Sequence, residues 1–400
     1  MLGGGILAAR YAHRLEHLRP STIREILKVT TQPDVISFAG GLPAPELFPV
    51  EGVLAAAERV LRGGGACQAL QYGETEGYLP LREWVAGEMA RRGAPCSSDE
   101  VLITSGSQQA LDLLGRVFLD PGDVVLTENP TYLAAIQAFQ AYEARFVPVP
   151  TDADGIIPSA LPELVARHRP KFLYIIPNFQ NPTGVTLSGP RRSELMRTAV
   201  ELGLLVVEDD PYRQLRYTGE HLPPVKAWDG DGLLLYTSTF SKTIAPGLRL
   251  GWLVAPAPIL ARLVVAKQAA DLHSSSLDQR IAFEYLSTGE NERHLERTRA
   301  AYRQRHAAMD QALRQHLPAD YRWTRPEGGM FLWVTCPDWV DTAQLLAPAL
   351  ERKVLFVPGR DFFPDGGGHN FMRLNFSNST PERINEGVMR LAGLLLEQRA

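Results

Sequence analysis

Lys242 closes the segment Thr239-Phe240-Ser241-Lys242, just after the apolar run Leu233-Leu234-Leu235-Tyr236, and Arg249 stands seven residues further on. A lysine at the end of a buried strand loses the hydration that favours its charged form, so its amine can stay nucleophilic near neutral pH. Hydroxyls and a guanidinium beside it can hold a phosphate dianion. The arrangement suits a covalently held, phosphate-bearing cofactor. For Ser-Lys alone, a surface lysine after a strand is the ordinary reading, so other segments must decide.

Asp209-Asp210-Pro211-Tyr212 ends the apolar run Leu204-Leu205-Val206-Val207. A carboxylate there needs a cation or a donor to remain charged, and a protonated pyridine nitrogen is such a partner. Tyr212 could donate to a phenolic oxygen on the same ring. Gly106-Ser107-Gln108 follows Val101-Leu102-Ile103-Thr104 and opens a helical pattern, where free N–H groups and the positive helix end could receive a phosphate. These needs meet in pyridoxal phosphate. Each piece also has a plain reading: Ser107 as a helix cap, Asp209 as a loop cap, Asn181-Pro182-Thr183-Gly184 as a turn, Tyr132 as half-buried packing. Arg373, in Met372-Arg373-Leu374, is a charge on an otherwise apolar strand. A guanidinium there can grip a carboxylate with two parallel hydrogen bonds, or form a surface ion pair.

These residues must be positioned by alternating strands and helices. Short apolar runs at 101–104, 124–127, 172–176, 204–207, 233–236 and 250–254 predict strands covered on both faces, separated by helical patterns at 108–118 and 189–200. The pattern predicts an α/β fold with a largely parallel sheet, and the polar clusters fall at the strand carboxyl ends, where such sheets bind ligands. A long charged helical pattern over 290–315 precedes runs at 329–334, 354–357 and 372–376 that predict a smaller sheet.

With 400 residues, 45% hydrophobic and 22% charged, the chain has room for two or three domains, and its net charge of -4 offers no basic field for nucleic acid or anionic membrane. Cys67, Cys96 and Cys336 lie far apart, without metal-site or disulfide-framework spacing. No apolar run reaches the roughly 20 residues of a membrane span, and residues 1–10 lack the pattern of a secretion signal. The expectation is a soluble cytoplasmic protein acting on small molecules. His13 and His17 share a helical face but lack a third ligand, so no metal is expected.

Taken together, the segments resemble the fold-type I pyridoxal-phosphate enzymes, specifically class I/II aminotransferases, over about residues 20–395. The resemblance implies a three-layer fold: an N-terminal arm over 1–45, a large cofactor domain with a mostly parallel seven-stranded sheet over 46–300, and a small α+β domain over 301–400. It implies that Lys242 attaches the cofactor, Asp209 pairs with the ring nitrogen, Tyr212 and Asn181 meet the ring hydroxyl, and Tyr132 stacks on the ring. Ser107, Gln108, Ser241 and Arg249 would hold the phosphate, helped by Tyr72 reaching over within a homodimer. Thr239 stands where close relatives often carry serine. Arg373 would take the substrate α-carboxylate beside the Gly40-Gly41 loop, which argues against simple decarboxylation.

Ser21-Thr22-Ile23-Arg24-Glu25-Ile26 reads as a short helix with a Thr22/Glu25 capping box. With Ser37-Phe38-Ala39-Gly40-Gly41-Leu42-Pro43, it is similar to the start of bacterial 2-aminoadipate aminotransferases. That similarity implies a mobile segment over the substrate, with Arg24 on the distal carboxylate of 2-aminoadipate or glutamate and Ser21 shaping the pocket. The implied amino acceptor is 2-oxoglutarate and the implied setting is lysine biosynthesis. Kynurenine, aromatic and branched-chain amino acids remain open as substrates.

Overall fold

The computed structural model describes residues 11–16 and 34–398. Seven strands form the main sheet in the order Val101–Thr104, Gly251–Val254, Leu234–Thr239, Val206–Asp209, Phe172–Ile175, Val124–Thr127, Arg145–Pro148. All neighbours run parallel except Gly251–Val254, which is antiparallel on both sides. Alternate residues feed two cores: Leu102, Val207, Leu235 and Leu253 enter one, while Val101, Val206, Leu234 and Val254 enter the other. Both faces are covered, which explains why these runs lack a polar alternation.

Two strands end later than the sequence predicts. The run expected at 204–207 forms a strand at Val206–Asp209 because Gly203, at φ 62°, ends the Gly189–Leu202 helix and Leu204 N–H still bonds back to Ala199. Glu208 is tolerated inside the sheet because its carboxylate accepts the N–H groups of Val225 and Lys226, both at 2.9 Å. Likewise Leu234–Thr239 runs through three hydroxyl residues, each bonded internally: Thr237 to the Trp252 carbonyl, Ser238 to that of Asp210 and Thr239 to that of Leu250. The strand Arg145–Pro148 was not anticipated. It lies at the sheet edge, where exposed Arg145 and a proline without N–H do no harm.

A second sheet pairs Arg322–Trp323, Phe331–Thr335, Phe371–Asn375 and Val357–Pro358 in antiparallel order. The run expected as one strand over 354–357 is divided, because Val354–Leu355 instead pairs in parallel with Ile36–Ser37. This pairing carries Phe38–Gly41 across the second sheet, where Phe38 O accepts the Asn375 N–H at 2.8 Å. The helix Glu290–His316 spans 27 residues and packs along Pro381–Glu397. Among the described residues no helix is long and apolar enough to cross a membrane. His13 Nδ1 lies 3.2 Å from Glu143 Oε1, while His17 lies outside the described residues.

Candidate active site

The carboxyl ends of the central strands surround a cavity of about 180 Å³, lined among others by Ser107, Tyr132, Asp209, Tyr212, Lys242 and Arg249. Asp209 ends its strand and is 1% exposed. Its Oδ2 accepts the Tyr174 hydroxyl at 2.8 Å, whereas Oδ1 is buried with no partner among the described residues. Burial pushes this carboxyl up to about 7, the Tyr174 hydrogen bond lowers it and neighbouring Asp210 raises it. An acceptor left open at this depth is costly unless a donor arrives from the cavity.

Lys242 ends a single turn, Phe240–Lys242, which Thr239 caps by accepting the Ser241 N–H at 3.1 Å. Its Nζ donates to the Gly41 carbonyl at 2.8 Å, and no carboxylate pairs with it among the described residues. Burial, then the cations Arg373 and Arg249, lower the amine to about 8. A useful fraction is therefore unprotonated near neutral pH.

At one end of the cavity the Ser107–Phe118 helix begins without a side-chain cap. Gly106 precedes it at φ 80°, and a Cβ there would lie 2.7 Å from Arg249 Nη2. A Cβ on Gly251 would come within 2.8 Å of Ser107 N. These glycines keep open a cradle of backbone N–H groups facing a guanidinium, the chemistry that holds a phosphate. At the other end Arg373, 1% exposed, donates to Asn181 Oδ1 at 2.8 Å and to the Ala39 carbonyl at 2.6 Å, and its Nε has no partner among the described residues. The guanidinium carbon lies 4.3 Å from the Phe331 ring centroid and 5.2 Å from that of Phe362. Burial lowers its pKa to about 10, still well above neutrality.

Asn181 bridges the two parts, since its Nδ2 also donates to Tyr212 Oη at 3.5 Å. Tyr212 is buried, and that burial raises its hydroxyl pKa strongly. Gly40 is buried beside Gly41. Thr239 and Ser241 line the cavity, but the Thr239 hydroxyl is engaged with Ser241 and the Leu250 carbonyl. Gln108 sits at the exposed rim, 3.5 Å from the Ala134 carbonyl. Tyr72 is 78% exposed, edge-on to His273, and does not line this cavity in its own chain. Ser21 and Arg24 lie outside the described residues.

Sequence reasoning missed Tyr174 and the two rings beneath Arg373. Tyr174 was hidden inside an apolar run; the register Tyr174↔Val207 places it on the face that Asp209 shares. A larger hollow of about 610 Å³ beside Phe48–Gly52 mixes exposed acids and arginines and contains no comparable set.

An amine free of a carboxylate partner, an acceptor awaiting a buried donor, and a cradle kept open by two glycines match the aldehyde, ring nitrogen and phosphate of pyridoxal phosphate. The family model for aminotransferase class I and II matches residues 34–391. The chain is 48% identical to a 2-aminoadipate transaminase of Thermus thermophilus, over 94% of each chain. It is 45% identical to aromatic-amino-acid aminotransferase 1 of Thermococcus litoralis, over 95% of this chain and 93% of that one. Its fold matches the crystal structure of an α-aminoadipate aminotransferase of Thermus thermophilus, complexed with N-(5'-phosphopyridoxyl)-L-leucine, with TM-score 0.91, 45% identity and 98% of both chains covered. The cavity and these likenesses agree, and the chain belongs to the class I and II aminotransferases as a pyridoxal-phosphate-dependent transaminase.

Proposed function

We propose that this enzyme transfers the amino group of 2-aminoadipate, and of glutamate, with 2-oxoglutarate as acceptor, within lysine biosynthesis. The observation that carries the reading is Arg373, a buried guanidinium against the Phe331 and Phe362 rings whose Nε has no partner among the described residues. A substrate α-carboxylate supplies the missing acceptor, and a bidentate grip fixes the α-carbon relative to Lys242. The likeness in sequence and in fold to the aminoadipate aminotransferase of Thermus thermophilus supports the choice of side chain. Arg24 is assigned the distal carboxylate and Ser21 the pocket wall.

Bound pyridoxal phosphate supplies an electron sink that acidifies the α-C–H of an attached amino acid. The chain does the rest. Lys242 Nζ, once drawn from Gly41 O, takes the α-proton and returns it, a task suited to an amine whose pKa is near 8. Asp209 Oδ1 would accept the N–H of a protonated ring nitrogen, a cation that would in turn favour the ionised carboxylate. Tyr212 and Asn181 would serve the ring hydroxyl, and Tyr132 would pack against the ring. Ser107, Gln108, Ser241 and Arg249 take the phosphate. Two copies complete each site, with Tyr72 of the partner subunit at the phosphate.

The 45% identity to an aromatic-amino-acid aminotransferase favours a second reading, a broad or aromatic specificity, including kynurenine. The visible spectrum of the holoenzyme, followed as 2-aminoadipate, leucine and kynurenine are added without oxo acid, separates them. Fast loss of the cofactor band with 2-aminoadipate and its return with 2-oxoglutarate is expected. A band that responds to kynurenine alone leaves the chemistry standing and removes the acidic substrate. Replacing Arg24 by alanine should lower kcat/KM for 2-aminoadipate far more than for leucine.

A further inference from the structure

Behind the Ser105-Gly106-Ser107 turn lies a second buried lysine that the transamination steps do not use. Lys267, in the Ala257–Asp271 helix, is 0% exposed. Its Nζ donates to Gln109 Oε1 at 2.7 Å, to the two Asp271 oxygens at 2.8 and 2.9 Å and to Ser274 Oγ at 3.0 Å. Asp271 Oδ2 also accepts Gln109 Nε2 at 2.6 Å and the Ser105 hydroxyl at 2.9 Å. The ring closes on Ser105, whose N–H reaches Gln109 Oε1 at 2.8 Å while its carbonyl accepts Arg249 Nη2 at 3.3 Å. The N–H and hydroxyl of the residue before Gly106 are thus fixed from behind, and its carbonyl by Arg249 in the cradle.

We infer that the Lys267–Asp271 pair is a positioning device for the phosphate-binding turn, with Lys267 cancelling a carboxylate that would otherwise stand behind the bound phosphate. The inference rests on the placement of the phosphate at Ser107 and Arg249 proposed above. Packing alone does not call for a lysine here, since an apolar side chain of similar volume commonly serves stability as well as a buried charge with its partner. What the pair adds is geometry and charge. Gln109 is held by Lys267 and Asp271 and so holds the Ser105 N–H, which sets the angle at which the helix presents its open end. Asp271 is solvent-exposed on one side, and hydrogen bonds from Lys267 and Gln109 lower its pKa, so it stands ionised behind the turn. Without the lysine its negative charge acts on the phosphate dianion through the short link of Ser105.

The test is the affinity of the apoenzyme for pyridoxal phosphate and for pyridoxal, which lacks the phosphate, followed by absorbance titration. Lys267→Met is expected to weaken pyridoxal phosphate about tenfold or more, as loss of a supporting shell does at other bound ions. Pyridoxal should stay within about twofold, the scatter between independent sites. The double variant Lys267→Met/Asp271→Asn should recover part of the loss, because the stranded carboxylate is gone. Equal losses for both ligands, or a double variant no better than the single one, reduce the pair to packing and overturn the inference. Arg249→Gln separates the two readings: if it too leaves pyridoxal phosphate untouched, the phosphate is placed wrongly, whereas loss with Arg249→Gln alone removes only the role of Lys267. Should Lys267→Met fail to give the wild-type circular dichroism, Lys267→Gln, which keeps two N–H donors, carries the same expectation.

Discussion

Asp209 and Asp210 stand side by side at 1% and 2% exposure, one turned to the cavity and the other to the opposite face of the sheet. Asp210 is fully provided for. Asn178 Nδ2 donates to one oxygen at 2.8 Å and the Tyr236 hydroxyl to the other at 3.0 Å. Arg192 and Arg92 stand behind those donors, at 2.7 and 2.9 Å. Among the described residues, Asp209 has Tyr174 on one oxygen and nothing on the other. Both are buried acids, and burial alone would not tell them apart. Completeness does: the saturated network holds the fold, and the open one marks where a ligand must finish the structure. Two lysines repeat the contrast among the described residues, Lys242 with one carbonyl and Lys267 with four acceptor atoms.

The strongest test of this contrast is Lys242→Ala. Turnover should fall by roughly 10²–10⁴-fold or more, the usual contribution of a placed general base, and the cofactor's visible band should disappear. A yellow, active variant would end the assignment. Next come the two aspartates, exchanged for asparagine one at a time. Asp209→Asn should cost roughly 10²–10³-fold in kcat, the scale of one lost electrostatic contact to developing charge, with no loss of apoenzyme stability. Asp210→Asn should do the reverse, losing about 1–3 kcal/mol of stability while each folded molecule keeps most of its activity. Chemical denaturation and steady-state kinetics on both variants decide, and similar profiles for the two would break the distinction.

Local pattern made much of this legible. The polar cluster after each apolar run was visible in sequence, and the cavity gathers Ser107, Tyr132, Asp209, Tyr212, Ser241, Lys242 and Arg249 from those clusters. Strand ends were less legible. Thr237, Ser238 and Thr239 look like loop residues because hydroxyls usually are, and only the neighbouring carbonyls that accept them keep the strand going. Tyr174 and Lys267 were invisible for the same reason. Each owes its role to a residue far along the chain, Asp209 for one and the Ser105–Gln109 turn for the other, and no local period encodes that meeting.

A smaller effect concerns protons. In the absence of ligand, Asp209 titrates near 7 rather than at the ordinary 3.8, so between those values the native state holds a proton that the unfolded chain has released. Apoenzyme stability therefore falls as pH rises through that window, and Asp209→Asn should remove that part of the fall. Lys242 has the opposite sign. Its amine is lowered from 10.5 to about 8, so between these values the unfolded chain binds the extra proton, and the penalty for burying the ammonium fades as pH rises. The rate at which apoenzyme takes up pyridoxal phosphate should rise to about pH 8 and level off. Replacing Arg373 by methionine removes a nearby cation and should move that midpoint upward; an unmoved midpoint would mean that burial and Arg249 set it without Arg373.

Thr239 gives the mildest and sharpest case, because it lines the cavity yet belongs to the completed side of the contrast. Its hydroxyl accepts the Ser241 N–H at 3.1 Å and lies 3.0 Å from the Leu250 carbonyl, so it is occupied in shaping the turn that carries Lys242. Thr239→Ser retains the hydroxyl and should leave cofactor affinity and stability as they are. Thr239→Ala removes the cap and should cost about 1 kcal/mol of stability, with cofactor affinity following only as far as the turn loosens. If the hydroxyl instead touched the phosphate directly, Thr239→Ala would weaken pyridoxal phosphate while sparing pyridoxal. Titration with both compounds therefore tells a residue that shapes the cradle from one that lines it.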